Sequence, residues 1–245
     1  PDDTNRQLTE KNLAEKKFEL DPFMYKASHD LIGPLASIIG VSNIAQQEVE
    51  EETAHRYFQL ITQSAKRLDS ILSELLNLTR LNNSQLSLEE VDLGALLHEV
   101  VESLKYLDEA EKMSFNVQVN HQRTFISDKS LLHSIIQNLI YNSILYRNQD
   151  LEQPSVSIIS SDQRYGLHLC IRDNGIGIPE RIQGRVFEMF YRGNNQSKGS
   201  GLGLYIVKTA MEKLDAHIEL NSRIDIGTEI ILKFPTPEPT KEMVT

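Results

Sequence analysis

The sequence predicts a helical hairpin followed by an α/β sandwich, and three observations carry that expectation. Ala54, Phe58, Ile61, Ala65, Leu68, Leu72 and Leu75 recur with alternating steps of four and three, the spacing of a helix-bundle seam. The periodicity stops at Asn82-Asn83-Ser84-Gln85, which reads as a linker. Beyond it, short alternating apolar runs interleave with apolar helical stretches, the pattern of helices covering one face of a mixed sheet.

Taken in order, residues 1–22 read as a charged helical lead-in from an upstream module, which Pro22 kinks or restarts. Residues 23–85 form the hairpin domain. Ala27, Leu31, Leu35, Ile38, Val41 and Ala45 trace a stripe on its first helix, and the polar stretch Gln46 to Thr53 is the expected connection to the second. One hairpin cannot bury both of its seams, so a homodimeric four-helix bundle is the natural completion.

Residues 86–236 form the second domain. Leu86 to Leu93 reads as a strand, Gly94 to Tyr106 as a helix and Ser114 to Val119 as an alternating strand. Asp128 to Tyr146 is a long, mostly apolar helix; Val156 to Ser160 and Leu167 to Arg172 read as a hairpin around Asp162 to Gly166. Gly203 to Leu214 resumes helix, and Ile218 to Leu220 with Glu229 to Phe234 supply further strands around a turn at Ile226-Gly227. The Pro-, Thr- and Glu-rich tail, residues 237–245, is expected to be loose.

Bulk properties narrow the function. At 245 residues, 40% hydrophobic and 24% charged, the chain matches ordinary globular protein with two modest cores. A net charge of −10 makes nucleic acid a poor partner, because phosphate backbones call for clustered Lys and Arg. The single cysteine, Cys170, excludes an internal disulfide, and its apolar strand setting suits a reducing, cytoplasmic compartment. No apolar run reaches the ~20 residues of a membrane span, so no direct membrane contact is expected of this stretch. Pro1 in place of a methionine is what a fragment cut from a longer parent, membrane-anchored or not, would show.

The candidate chemistry lies in polar residues set into this apolar frame. Gly199, Gly201 and Gly203 just before a helix present backbone N–H groups and the positive end of a helix dipole, a cradle for phosphates, although such turns more often serve chain reversal. Asp173-Asn174-Gly175-Ile176-Gly177 follows a strand; its carboxylate either closes an Asx turn or accepts from an exocyclic amine, with the glycines letting a base approach. Asn138 and Asn142 lie four apart on one face of an apolar helix, where amides are costly unless paired; together they suit an oxygen ligand for Mg²⁺ and a water-positioning partner. Six of the seven histidines have no usable acid beside them. The seventh, His29, sits about 200° round its helix from Ala27 and so faces solvent, where a neutral imidazole can act as a nucleophile.

These residues carry a resemblance. Asn138 to Asn142, Asp173 to Gly177, Arg185 to Arg192 and Gly199 to Leu204, in that order, resemble the N, G1, F and G2 boxes of the two-component sensor histidine kinases, and Ser28 to Leu35 is similar to their phosphoacceptor H box. The resemblance spans Phe23 to Phe234. It implies a dimeric phosphoacceptor hairpin followed by an ATP-binding domain of the fold shared with gyrase and mismatch-repair ATPases. It implies that ATP with Mg²⁺ is bound and that its γ-phosphoryl passes to His29, with Asp30 taking the proton, then to an aspartate of a response-regulator receiver domain. Asp173 would recognise the adenine amine and Asn142 would ligate Mg²⁺ with Asn138 assisting. Tyr146, Gly175, Gly177, Gly199, Gly201, Leu202 and Gly203 would shape the pocket. Residues 180–198 would be the ATP lid, with Arg192 and Lys198 toward the γ-phosphate and Phe187 and Phe190 anchoring it by burial; for Lys198 a solvated charge is an equal reading.

The sequence departs from that pattern in places. Ile32 and Gly33 stand where the H box usually has a basic residue and then Thr, Ser or Asn, which puts regulator dephosphorylation in doubt, and Gly33 beside Pro34 predicts a bend after His29. Leu145 occupies the place of a common Lys, with Arg147 a candidate replacement, and Asp225 stands where a Gly is usual. Two competing classes remain: a dimerising scaffold that binds nucleotide weakly or not at all, and a chaperone- or gyrase-type ATPase. The second is disfavoured, because those enzymes place a Glu where Asn138 stands.

Overall fold

Residues 31–33 and 35–48 are helical (α1), and Glu52–Asn83 is a helix of 32 residues (α2), in the computed structural model, which describes residues 31–33, 35–48, 51–164, 166–193 and 199–235. The lead-in, His29, Asp30, Lys198 and the tail lie outside the described residues. The chain divides into two compact units, with the break between Ser84 and Gln85.

In the first unit the helices pack through Leu35, Ala65 and Leu72, with Ile39 against them. Nearer the turn, Gln46 Nε2 donates to Thr62 Oγ1 (2.8 Å), whose hydroxyl donates to Phe58 O. Helix runs through Gln46 to Glu48 and resumes at Glu52, so the connection is shorter than the expected Gln46 to Thr53; polar residues there solvate helix ends instead of forming loop. The α1 face that meets α2 carries Leu35, Ile39 and Ser42, so the expected stripe is only partly used. Leu31, Ile38, Val41, Ile61 and Leu68 stay exposed, because a two-helix unit can cover one seam and leaves the other unpartnered.

The second unit is a five-stranded mixed sheet with helices on one face. Leu88–Glu90 (β1), Leu93–Leu104 (α3), Ser114–Asn120 (β2), Ile126–Asp128 (β3), Lys129–Leu145 (α4), Ser155–Gln163 (β4) and Gly166–Asp173 (β5) come first. Glu180–Gln183 (α5), Gly203–Lys213 (α6), His217–Arg223 (β6) and Gly227–Pro235 (β7) follow. The sheet order is β2-β4-β5-β7-β6, with β2 parallel to β4 and every other pair antiparallel. Strand alternation turns Val156, Ile158, Leu169, Ile171, Leu232 and Phe234 inward, against Leu97, Leu132, Ile136, Leu139, Ile140 and Val207 from α3, α4 and α6, all within a few per cent of full burial. Cys170, by contrast, is only part-buried on the other face, and desolvation first, then Glu229, push its thiol up to about 11, so it is inert at neutral pH.

Three elements differ from the sequence reading. The strand expected over Leu86 to Leu93 is only Leu88–Glu90, because Asp92 accepts from Ala95 N (2.9 Å) and starts α3 at Leu93. Its partner β3, with Leu88 opposite Asp128, is three residues long and has no alternation to betray it. The β4–β5 hairpin is tighter than expected, since Gln163 already pairs with Gly166.

Candidate functional site

Helix α4 organises the site from both ends. At its start the Asp128 carboxylate caps the helix, Oδ1 accepting from Ser130 N (3.0 Å), Leu131 N (3.1 Å) and Ser130 Oγ (2.6 Å), while Oδ2 accepts from Ser87 N (3.0 Å). At its end Tyr146 N–H closes on Asn142 O, and Tyr146 O accepts from Ile176 N (3.1 Å), which ties the loop after β5 to the helix. Gly175 allows that approach, since a Cβ there would lie 2.6 Å from Tyr146 O.

Along the helix, Asn138 Nδ2 donates to Ser134 O (2.8 Å), so the amide oxygen is turned outward. It faces the first residue of α6: a Cβ on Gly203 would sit 2.9 Å from Asn138 Oδ1 and 3.8 Å from Asn142 Nδ2. Both amides thus border a space that only a glycine leaves open. The N-terminus of α6 there has no side-chain cap, unlike those of α3 and α4, whose first N–H groups are taken by Asp92 and Asp128. Unsatisfied N–H groups at a helix start favour an anion. Leu202, just before it, is wholly buried, and its N–H is engaged by Ser200 Oγ (3.1 Å), so its side chain belongs to the core.

Asp173 ends β5 and is tied to α4 through Ser143, the residue after Asn142. Its Oδ1 accepts from Gly175 N (2.9 Å) and Thr228 N (3.0 Å), and its Oδ2 accepts from Ser143 Oγ (3.0 Å). The bond to Gly175 is the expected Asx turn, yet the second oxygen keeps a lone pair for a further donor. Burial pushes the Asp173 carboxyl up, and the three hydrogen bonds only partly oppose it. A Cβ on Gly227 (φ +127°) would lie 2.0 Å from Asp173 O, and one on Gly177 (φ +70°) 2.0 Å from Arg223 O. These two glycines let backbone segments approach closely.

The expected lid is described up to residue 193. Phe187 is half-buried and Phe190 is 49% exposed with φ +60°, against the expectation that both anchor by burial. Contact there is made by backbone instead: a Cβ on Gly201 would meet Phe190 C and Tyr191 O at 2.8 Å. Arg192 is part-buried at the end of this stretch, and Gly199 lies near Leu145 Cδ2. Arg147, the candidate replacement for a lysine at 145, donates to Ile144 O (3.1 Å) and so caps the end of α4.

An open cavity of about 850 Å³ also reaches Asp173, from the β6–β7 side, lined by Ile178, Gln183, Arg223, Ile224 and Ile226 among others. Neither asparagine lines it, so it is distinct from the space above α4. Among the described residues no cluster of three or more His, Cys, Asp or Glu could hold a metal. Among those residues, too, no helix is long and apolar enough to cross a membrane. Ser143 and Thr228 were missed in the sequence; the available signal for Ser143 was a hydroxyl directly after Asn142, whereas Thr228 acts through its backbone N–H, which no residue type announces.

Two family models match. One described as "Histidine kinase-, DNA gyrase B-, and HSP90-like ATPase" covers residues 127–238, and one described as "His Kinase A (phospho-acceptor) domain" covers residues 20–84. Sensor protein VanSC of Enterococcus gallinarum is 30% identical over 250 residues, 95% of this chain and 66% of that protein. Sensor protein SrrB of Staphylococcus aureus (strain MRSA252) is 29% identical over 247 residues, 96% of this chain and 41% of that protein. This chain therefore spans less than two thirds of the length of these relatives. The crystal structure of full-length ShkA in complex with AMPPNP is similar in fold, with a TM-score of 0.67 at 22% identity over 88% of this chain and 47% of that one.

Proposed function

The chain belongs to the two-component sensor histidine kinases, with their phospho-acceptor and ATPase domains in that order, and from that premise we propose that it transfers the γ-phosphoryl of ATP to His29. The single observation that carries the reading is that α4 sets two amides against the uncapped start of α6 and, one residue past the second amide, bonds Asp173 through Ser143. The carboxylate is suited to an adenine amine, and the α6 N–H groups to phosphate oxygens. Asn142, with Asn138 beside it, is suited to Mg²⁺; when bound, the ion would draw phosphate charge and leave the terminal phosphorus more electrophilic. Gly203 supports this fit, because any side chain there would fill the space the amides border.

The phospho-acceptor match over residues 20–84 includes His29, which supports its role as nucleophile. The imidazole nitrogen attacks phosphorus as the bond to the ADP oxygen breaks, and its proton passes to Asp30. Arg192 and Lys198 sit in the segment that would close over the phosphates. The exposed Leu31, Ile38, Val41, Ile61 and Leu68 form the face through which two copies complete a four-helix bundle. Phosphohistidine then donates to an aspartate of a response-regulator receiver domain. We further assign residues 23–85 to the phosphoacceptor domain and 86–236 to the catalytic one, with an upstream sensor module in the parent chain and the kinase core in the cytoplasm.

Radiolabelled ATP tests the reading directly. The whole chain should take up acid-labile, base-stable label, and His29→Ala should take up none while still binding ADP. Label persisting in His29→Ala, or no label in the wild type, would sink it.

A further inference from the structure

We propose that Ser143 is a positioning residue for base selection, aiming the one open lone pair of Asp173 Oδ2 at an exocyclic amine and thereby favouring amino-purine over oxo-purine nucleotides. The inference rests on the nucleotide reading above. Its basis is how the carboxylate is partitioned. Two backbone donors, Gly175 N and Thr228 N, occupy Oδ1, which has no further capacity. Oδ2 takes one bond, from Ser143 Oγ, and keeps one acceptor site.

Ser143 is well placed to control that site. It is 5% exposed, so water does not compete for its hydroxyl. That hydroxyl has a single proton and two acceptors, Leu139 O at 3.2 Å and Asp173 Oδ2 at 3.0 Å. The shorter distance and the ionised acceptor favour the carboxylate. Rotation of the carboxylate about its last bond is then stopped from the helix side by Ser143 and from the strand side by the two N–H groups. Ser143 also follows Asn142 directly, so one rigid turn of α4 carries both the base-positioning hydroxyl and the amide suited to the metal.

Removing the hydroxyl has a second consequence. The bond from Ser143 lowers the Asp173 carboxyl against the upward push of burial, so its loss raises that carboxyl further. Arg172, Glu180, Arg223 and Glu229 share the outer cavity with Asp173, but burial and hydrogen bonds, not these charges, cause its shift. Arg172, on its own strand, pairs with Glu229 of β7, and Arg147 is bonded to Ile144 O. Asp173 accepts from an amine far more strongly when ionised, so binding weakens as pH falls and should weaken sooner without Ser143.

Calorimetric affinities of the whole chain for ADP and IDP, from mildly acidic to mildly alkaline pH, test the role. In Ser143→Ala, ADP affinity should fall about tenfold, the scale of one hydrogen bond to a charged group, IDP affinity should hardly change, and the acid loss of ADP binding should begin at higher pH. Ser143→Thr, which keeps the hydroxyl, should restore the ADP preference. Unchanged ADP-to-IDP ratio and unchanged pH profile in Ser143→Ala would overturn the role of Ser143 alone. A wild-type chain that binds no adenine nucleotide would overturn the nucleotide reading, and this role with it.

Discussion

The two ends of α4 each carry a buried aspartate environment, and the two behave in opposite ways. Asp128, at the start, is 4% exposed; burial pushes its carboxyl up, but bonds from Ser130, Ser87 and Leu131 outweigh that and hold it below the usual range. Asp173, beside the end, also has three kinds of donor, yet burial wins and its carboxyl is raised. The difference lies in the balance: Asp128 receives four bonds, three on one oxygen and one on the other, and together they outweigh burial, whereas the three bonds to Asp173 do not. A carboxylate whose bonds prevail over burial is held charged and anchors a fold; one whose bonds do not is, on the nucleotide reading proposed above, suited to a further donor.

The sharpest test of this contrast is Asp173→Asn. Adenine nucleotide affinity should fall about ten- to a hundredfold, from the ~1.5–3 kcal/mol of a hydrogen bond to a charged group, and phosphohistidine formation with it. The melting temperature at neutral pH should hold or rise. A carboxyl whose folded pKa lies above its unfolded value costs stability as pH climbs through that interval, and an amide removes the charge while its oxygen still accepts from Gly175 and Thr228. A large drop in melting temperature would break the comparison.

Asp128→Ala should do the reverse. Loss of the cap and of the tie to Ser87 should lower stability by about 1–2 kcal/mol, measured by urea unfolding, with ADP affinity within about twofold of wild type on an unchanged site. The pH dependence sharpens this. Asp128 has a depressed folded pKa, so its contribution is full above the unfolded carboxylate value and lost as pH falls through the folded one; wild type and Asp128→Ala should converge in acid. The smallest effect is expected from Arg172→Ala. The guanidinium that pairs with Glu229 is 67% exposed, and such pairs contribute under about 1 kcal/mol.

Much of this was legible in the chain, and for a physical reason in each case. The α2 seam, the apolar run of α4 and the alternation of β4, β5 and β7 are local periodicities, and local periodicity survives without knowledge of neighbours. Asn138, Asn142 and Asp173 stood out because polar groups in apolar surroundings demand a partner. What misled was equally local. The resemblance implied that Phe187 and Phe190 anchor the lid by burial, yet the Phe190 backbone turns at φ +60° and leaves its ring out. β3 was invisible because three residues paired across 36 to 40 positions carry no pattern of their own.

By itself, then, the sequence determined the order of helices and strands, the break near Ser84 and the polar residues that make this chain a member of its family. Only the tertiary structure decided which partners those residues keep. The Asp173 oxygens are divided among Ser143 thirty residues before it, Gly175 two after and Thr228 fifty-five after. Hydrogen-bond saturation depends on such distant donors meeting in space, and no spacing along the chain encodes which lone pair is left open.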